Sequence, residues 1–222
     1  TNTTYWSTFT AGSGGIWSSG LSLGSAGQVV KVNSGASALE FGTLSSDYVK
    51  LASGTIGNVS QFNIDGYYTS DYDNYVIILN NLRNDTSSRQ LYWRFRASNS
   101  IISASNYRYI DKGSYINSGN TKNDVMNGNY AAAQMANGWD LSTGSDRGMN
   151  FRIMIFDPLT AGTNKHCKYE FIEDVSDANY LTSMQGGGYY NGSSGAHSGI
   201  TFFPQANSFN TGGKWKLYGI KA

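Results

Sequence analysis

The sequence predicts an all-β protein, an antiparallel and jelly-roll-like β-sandwich, on three observations. Several short segments alternate apolar and polar residues, as Leu91, Trp93 and Phe95 alternate with Tyr92 and Arg94, and a period of two is typical of half-buried strands. Clusters rich in Gly, Asn and Ser separate these segments. Aromatic residues make up 14% of the 222-residue chain, which is enough to build a large core.

The first 45 residues differ from the rest and are predicted to form a glycine-rich docking or oligomerisation segment. Within it, the strand pattern Gln28–Val32, the turn Asn33–Gly35 and the returning segment Ala38–Phe41 predict a β-hairpin. Such a segment has too little apolar surface to form its own core. We therefore expect other chains to order it.

Residues 46–222 are predicted to form the β-sandwich domain. The strand patterns fall at 60–65, 75–79, 91–96, 151–155, 167–171, 200–202 and 215–217. The side chains expected on the inner faces are Trp93, Phe95, Phe151, Ile153, Phe171 and Trp215. The segment Tyr75–Leu79 is apolar at every position, which indicates a strand covered on both faces.

Between the strand patterns, turns are predicted at 80–81, 83–88, 117–120 and 185–188. Helical periodicity is nearly absent. Tyr130–Ala136 is the exception: it favours two helical turns that end at Asn137 and Gly138.

Charge and hydropathy exclude two classes of partner. Lys+Arg 16 against Asp+Glu 15 gives a net charge of +1, which argues against a basic face that binds nucleic acid. The longest apolar run, Tyr75–Leu79, is far shorter than the ~18 residues of a membrane span. We expect neither nucleic-acid binding nor membrane insertion.

The chain offers few residues for catalysis or metal binding. The single cysteine, Cys167, excludes a disulfide framework, and Gly20–Gly24 spells Gly-x-Ser-x-Gly without the strand and helix of a nucleophile elbow. The acidic pair Asp71 and Asp73 lacks the glycine and late glutamate of a calcium loop. The prediction is a protein without catalytic residues, metal or cofactor, although paired glycosidase carboxylates stay open because their separation is spatial.

The segment Gly186–Ser194 is the most informative candidate for binding. Tyr189 and Tyr190 follow three glycines and precede Asn191, while His197 lies in a second glycine-rich stretch. Rigid amphipathic rings on a polar loop give contact area at low entropic cost. We predict that these four residues contact a receptor, with the aromatic faces available for a sugar to stack on. The alternative is that both tyrosine rings pack back onto the sandwich.

Several segments resemble proteins of tailed bacteriophages. Leu23–Gly35, followed by Leu39–Gly42, resembles a segment common in tail-fibre and other virion proteins. Val49–Gly54, Leu91–Arg96 and Lys216–Lys221 are similar to the β-sandwich that closes many such fibres, notably in marine and cyanobacterial phages. Residues 101–195 carry no part of this resemblance.

The resemblance implies a non-enzymatic virion structural protein, a fibre-like component of the tail or particle surface that adheres to the host. It also implies a homotrimer, but its motifs are structural and indicate no ligand. Docking on other virion proteins is expected from the composition of residues 1–45, and contact with host-surface glycan from the aromatic residues of Gly186–Ser194. One alternative is a capsid decoration or head-fibre protein that stabilises the shell. Another is a polysaccharide depolymerase, although the β-helical repeats usual in such enzymes are not seen.

Overall fold

The structure is a computed structural model that describes residues 25–43, 46–86, 89–117, 120–130, 133–135, 141, 148–175, 180–192 and 195–221. Contacts divide the chain into two compact units, 1–46 and 47–222. The described part of the first unit is an antiparallel hairpin in which Gln28 pairs with Thr43 and Val32 with Leu39. The predicted N-terminal hairpin is therefore confirmed.

Every regular element of the described residues is a β-strand, which confirms the all-β prediction; the jelly-roll-like connectivity stays a prediction. In chain order the strands are β1 Gln28–Val32, β2 Leu39–Thr43, β3 Tyr48–Ile56, β4 Phe62–Asp65, β5 Asn74–Leu82, β6 Leu91–Ala97, β7 Ser100–Ile101, β8 Tyr107–Asn117, β9 Asn120–Tyr130, β10 Ala133–Met135, β11 Met149–Phe156, β12 Lys165–Val175, β13 Tyr180–Tyr190, β14 Gly199–Pro204 and β15 Gly213–Ile220. Within the described ranges, no helix is long and apolar enough to cross a membrane.

The second unit contains two antiparallel sheets. The large sheet has the strand order β3-β15-β5-β11-β12-β13-β8-β9, and the small sheet has the order β10-β6-β14-β4, with β7 added to β6. Apolar side chains from both sheets form one buried cluster, in which Ile77 and Ile153 come from the large sheet and Trp93 and Phe202 from the small one. Alternation along each strand points its apolar residues into this cluster.

The core contains the side chains that the sequence assigns to it. Trp93, Phe95, Phe151, Ile153 and Phe171 are all at most 3% exposed. Trp215 is partly buried and packs against this cluster. Its ring lies over Gly54 of the neighbouring strand β3. A Cβ atom added to Gly54 would come within 2.6 Å of the Trp215 indole nitrogen.

Two local predictions are wrong. The described residues of the segment predicted as helical, Tyr130 and Ala133–Met135, lie in strands: β9 ends at Tyr130, and β10 pairs with β6, where Ala133 lies opposite Trp93 and Met135 opposite Leu91. Strand pairing overrides the helix propensity of the alanines. The turn predicted at residues 80–81 lies inside β5, although Asn81 has a φ of 54°.

Two further sequence features lie partly or wholly outside the described residues. The Gly20–Gly24 motif falls before the first described residue, and so does most of the predicted docking segment. The tip of the turn predicted at 117–120 also lies outside the described ranges, although Asn117 pairs with Asn120 across it.

Candidate functional site

Two of the four predicted contact residues lie on one strand and not in a loop. Gly186, Gly187 and Gly188 belong to β13, which continues through Tyr189 and Tyr190. The prediction of a loop at this glycine run is wrong. The strand forms here because neighbouring side chains fill the space that two of the glycines leave: the Tyr169 ring lies over Gly186, and the Trp93 ring of the small sheet lies over Gly188.

Strand alternation sends the two tyrosines to opposite faces of the large sheet. Tyr190 is 6% exposed and joins the core, with its ring centroid 4.9 Å from that of Tyr107. Tyr189 is half-buried on the outer face, the side of the large sheet that faces away from the core. Its ring centroid lies 5.6 Å from that of His166. The alternative that the rings pack onto the sandwich therefore applies to Tyr190, whereas Tyr189 presents its ring on the outer face.

His197 is a core residue. Its side chain is 1% exposed, and its ring centroid lies 4.8 Å from that of Phe95 and 5.9 Å from that of Tyr190. Among the described residues, neither ring nitrogen has a hydrogen-bond partner. Burial, together with the charge of the nearby Lys165, lowers the pKa of His197 to about 4. The imidazole is therefore neutral near pH 7, and it is not a surface contact.

Asn191 is exposed directly after β13, and its backbone N–H donates to the carbonyl of Asn106 at 3.1 Å. Of the four predicted residues, Tyr189 and Asn191 thus reach the surface. Tyr190 and His197 pack together in the core. The four residues do not share one contact surface.

An open groove of about 570 Å³ lies beside Tyr189 on the outer face. We call it the Tyr189 groove, and the side chains that define it are those of Arg108, Ile110, Phe156, His166 and Tyr189, with Gly187 as its floor.

Strand register explains why these side chains meet. Phe156 of β11 pairs with His166 of β12, His166 with Tyr189 of β13, and Tyr189 with Arg108 of β8. Four neighbouring strands therefore place one row of two aromatic rings, an imidazole and a guanidinium across the sheet. In the next row on the same face, Gly187 pairs with Ile110 and leaves open the space that a side chain would fill.

The chemistry of the groove favours stacking with hydrogen bonding. The faces of Tyr189 and Phe156 supply flat apolar surface, and the His166 ring and the Arg108 guanidinium supply polar groups at its rim. No carboxylate is among the described residues that line it, and these residues therefore do not supply the acid and base pair of a glycosidase. Among all the residues that the structure describes, no group of three His, Cys, Asp or Glu side chains is placed to hold a metal ion.

The outer face around the groove is basic, which the net charge of +1 does not reveal. Its exposed cationic side chains are Lys50, Arg108, Lys112, Arg152, Lys168, Lys214 and Lys216. Glu170, on the same face, lies 3.6 Å from Arg152 in an exposed ion pair. The inference from net charge that the protein lacks a basic face is wrong, because alternation collects the cations of five strands on one side of the sheet.

Sequence reasoning missed Phe156, His166, Arg108 and Gly187 as partners of Tyr189. Parity along β11 and β12 already assigns Phe156 and His166 to the face opposite Ile155 and Cys167. What the sequence does not contain is the register that aligns four strands. No family model, no curated protein and no solved structure matches the chain.

Proposed function

We propose that the chain is a non-enzymatic structural protein of a bacteriophage virion, a fibre-like component of the tail or particle surface that binds host-surface glycan through the Tyr189 groove. The resemblance of Leu23–Gly42 and Leu91–Arg96 to tail-fibre proteins supports the virion part of this proposal. The all-β fold is compatible with it.

The glycan-binding part of the proposal rests on the geometry of the Tyr189 groove. The Tyr189 ring is half-buried and packs beside His166, so little rotamer freedom is left for a ligand to remove. Its face borders a floor without a side chain at Gly187. A sugar ring can lie on that floor and stack its C–H face on the tyrosine, while Arg108 donates hydrogen bonds to its hydroxyl groups.

Self-association into a trimer is supported by the edges of the large sheet. Among the described strands, β9 pairs with β8 alone and β3 with β15 alone. β9 is 11 residues long, and a long edge strand is a template for pairing with another chain. A trimer also presents three copies of a groove in which each sugar is held weakly. In this proposal residues 1–45 attach the assembly to other virion proteins.

The test is adsorption of particles that carry Tyr189→Ser. We expect normal assembly, because the ring is on the outer face, and host adsorption reduced at least about tenfold. The matched control is Tyr67→Ser, which removes a 38% exposed tyrosine that does not line the groove.

Three outcomes would contradict parts of the proposal. Unchanged adsorption with Tyr189→Ser would place the contact elsewhere. Recovery of the chain on tail-less heads that lose stability without it would favour a decoration protein. Turnover of capsular polysaccharide by the purified chain would favour a depolymerase.

A further inference from the structure

The basic outer face narrows the class of ligand that the Tyr189 groove would hold. We infer that the ligand is an anionic polysaccharide, one whose sugars carry carboxylate or sulfate groups. This inference rests on the proposed glycan-binding function and adds to it the sign and the spacing of the ligand's charges.

The charges at the groove have one sign. Arg108 lines it, Lys168 lies in the row next to His166, and Lys112 follows Ile110 on the same face of β8. The described lining residues include no Asp or Glu. Glu170, farther along β12, is paired with Arg152. A neutral sugar gains only hydrogen bonds from Arg108, whereas a chain of anionic sugars gains attraction at every cation it passes.

The cations continue from the groove across the sheet. Lys216 of β15 aligns through Ile78 with Arg152 of β11, two strands away, and two strand spacings are about 10 Å. Lys168 aligns through Met154 and Val76 with Tyr218, beside Lys50 at the far edge. A ligand longer than one sugar can therefore extend from the groove over several cations.

The spacing of these cations favours a polysaccharide over a nucleic acid. Single-stranded nucleic acid carries a charge about every 3.4 Å and duplex DNA about every 1.7 Å. Of the aligned cations on the outer face, Lys216 and the Glu170-paired Arg152 lie two strands apart, roughly 10 Å, and Lys168 and Lys50 lie four strands apart, roughly 19 Å. They would leave most phosphates of a nucleic acid unmatched, but they suit a chain with one acidic group on every second sugar or fewer.

The experiment compares binding of the purified full chain to four probes: hyaluronate, with one carboxylate on every second sugar, keratan sulfate, with about one sulfate on every second sugar, neutral dextran and oligo-deoxythymidine. We expect hyaluronate or keratan sulfate to bind most tightly, and the affinity to fall as salt rises. Preference between those two identifies the anion. The triple variant Arg108→Ala/Lys112→Ala/Lys168→Ala is expected to lose about tenfold in affinity at low salt, since each exposed charge contributes a few-fold. Its salt dependence should also become shallower.

The matched control is Lys31→Ala, which removes an exposed lysine of the N-terminal hairpin that is paired with Glu40 at 3.2 Å. Circular dichroism and urea titration confirm that each variant is folded. Single variants replace the triple one if it unfolds.

Equal binding of neutral dextran and the anionic probes, or an unchanged affinity of the folded triple variant, would overturn the inference. Tighter binding of oligo-deoxythymidine would also overturn it, in favour of a nucleic acid. Host adsorption of the same variants distinguishes a failure of this inference from a failure of the proposed function. Adsorption that is lost with Tyr189→Ser but unchanged in the triple variant would reject the anionic ligand alone. Adsorption unchanged in both would reject the groove as well.

Discussion

The Tyr169 hydroxyl donates a hydrogen bond to the Asp111 carboxylate across an intervening strand. The two residues lie on β12 and β8, and both register with Gly186 on β13 between them. The contact exists because Gly186 has no side chain on the inner face. It satisfies one oxygen of a carboxylate that is 1% exposed.

Gly186→Ala is therefore expected to destabilise the protein by about 2 kcal/mol. The added Cβ would lie 2.2 Å from an Asp111 carboxylate oxygen and 2.7 Å from both the Tyr169 ring and the carbonyl of Ile110. Urea unfolding measures the change. Gly57→Ala is the control, since no described atom lies within 4 Å of a Cβ at that position; equal stability of the two variants would contradict the account.

The buried imidazole of His197 is expected to make the protein less stable between pH 6.5 and pH 4. Burial lowers its pKa from 6.5 to about 4, so in this range the unfolded chain binds a proton that the folded chain does not. Stability is therefore complete above pH 6.5 and falls as the pH decreases through the window. The loss reaches roughly 3 kcal/mol.

The variant His197→Met tests this pH dependence, because methionine fills the space between Phe95 and Tyr190 without titrating. Urea unfolding at several pH values should give a flatter curve for the variant. Asp65 acts below this pH window: burial opposes the shift, but the hydrogen bond and charge of Arg96 lower its pKa from the usual 3.8. Identical slopes for both proteins would reject the role of His197.

Replacing Arg96 by lysine is expected to destabilise the protein. Its Nε donates to Asp65 at 2.5 Å, its Nη1 to the Thr201 hydroxyl at 3.0 Å and its Nη2 to the carbonyl of Asn99 at 2.5 Å. Only a guanidinium reaches three acceptors in this geometry. Because the Arg96 side chain is 9% exposed, Arg96→Lys should cost roughly 2 kcal/mol. Arg152→Lys, in the exposed pair with Glu170, should stay within about 0.5 kcal/mol of the parent in urea unfolding.

The Cys167 thiol is expected to be inert in the folded protein. It is 4% exposed, and burial raises its pKa above the ordinary value, so the reactive thiolate is scarce near neutral pH. Labelling with a chromogenic disulfide should be slow in buffer and fast in denaturant. Rapid labelling without denaturant would mean that β12 opens locally, contrary to its position between β11 and β13 in the large sheet.

The sequence predicts those parts of the fold in which polarity alternates clearly. In β11 the buried residues Phe151, Ile153 and Ile155 alternate with more exposed ones, and the residue types alone display this period. β8 is different, because its inner face includes Asp111 and Gly113. A carboxylate and a glycine at inward positions break the alternation of apolar and polar residue types. Their burial is explained only by their partners on neighbouring strands.

The candidate site could be predicted only in part, for the same reason. The composition of Gly186–Tyr190 suggests a binding surface. The three glycines carry no side chains, so the alternation of polar and apolar residues does not show which tyrosine faces the core. Register then decides the outcome: Tyr189 meets His166 and Arg108, whereas Tyr190 meets Tyr107 in the core. Local sequence carries no information about pairings between strands that are far apart along the chain.

The glycine run of β13 places positions fixed by packing next to a position that shapes the groove. Gly186 and Gly188 are constrained by the rings that lie over them. Gly187 faces the groove, where an added Cβ would lie 3.0 Å from the Cys167 carbonyl and 3.9 Å from the Lys168 Cα, so a side chain there needs a backbone shift of a few tenths of an ångström and narrows the groove. In the function that we propose, this one position would therefore tune which ligand fits, at a smaller cost to the fold than a change at either neighbouring glycine.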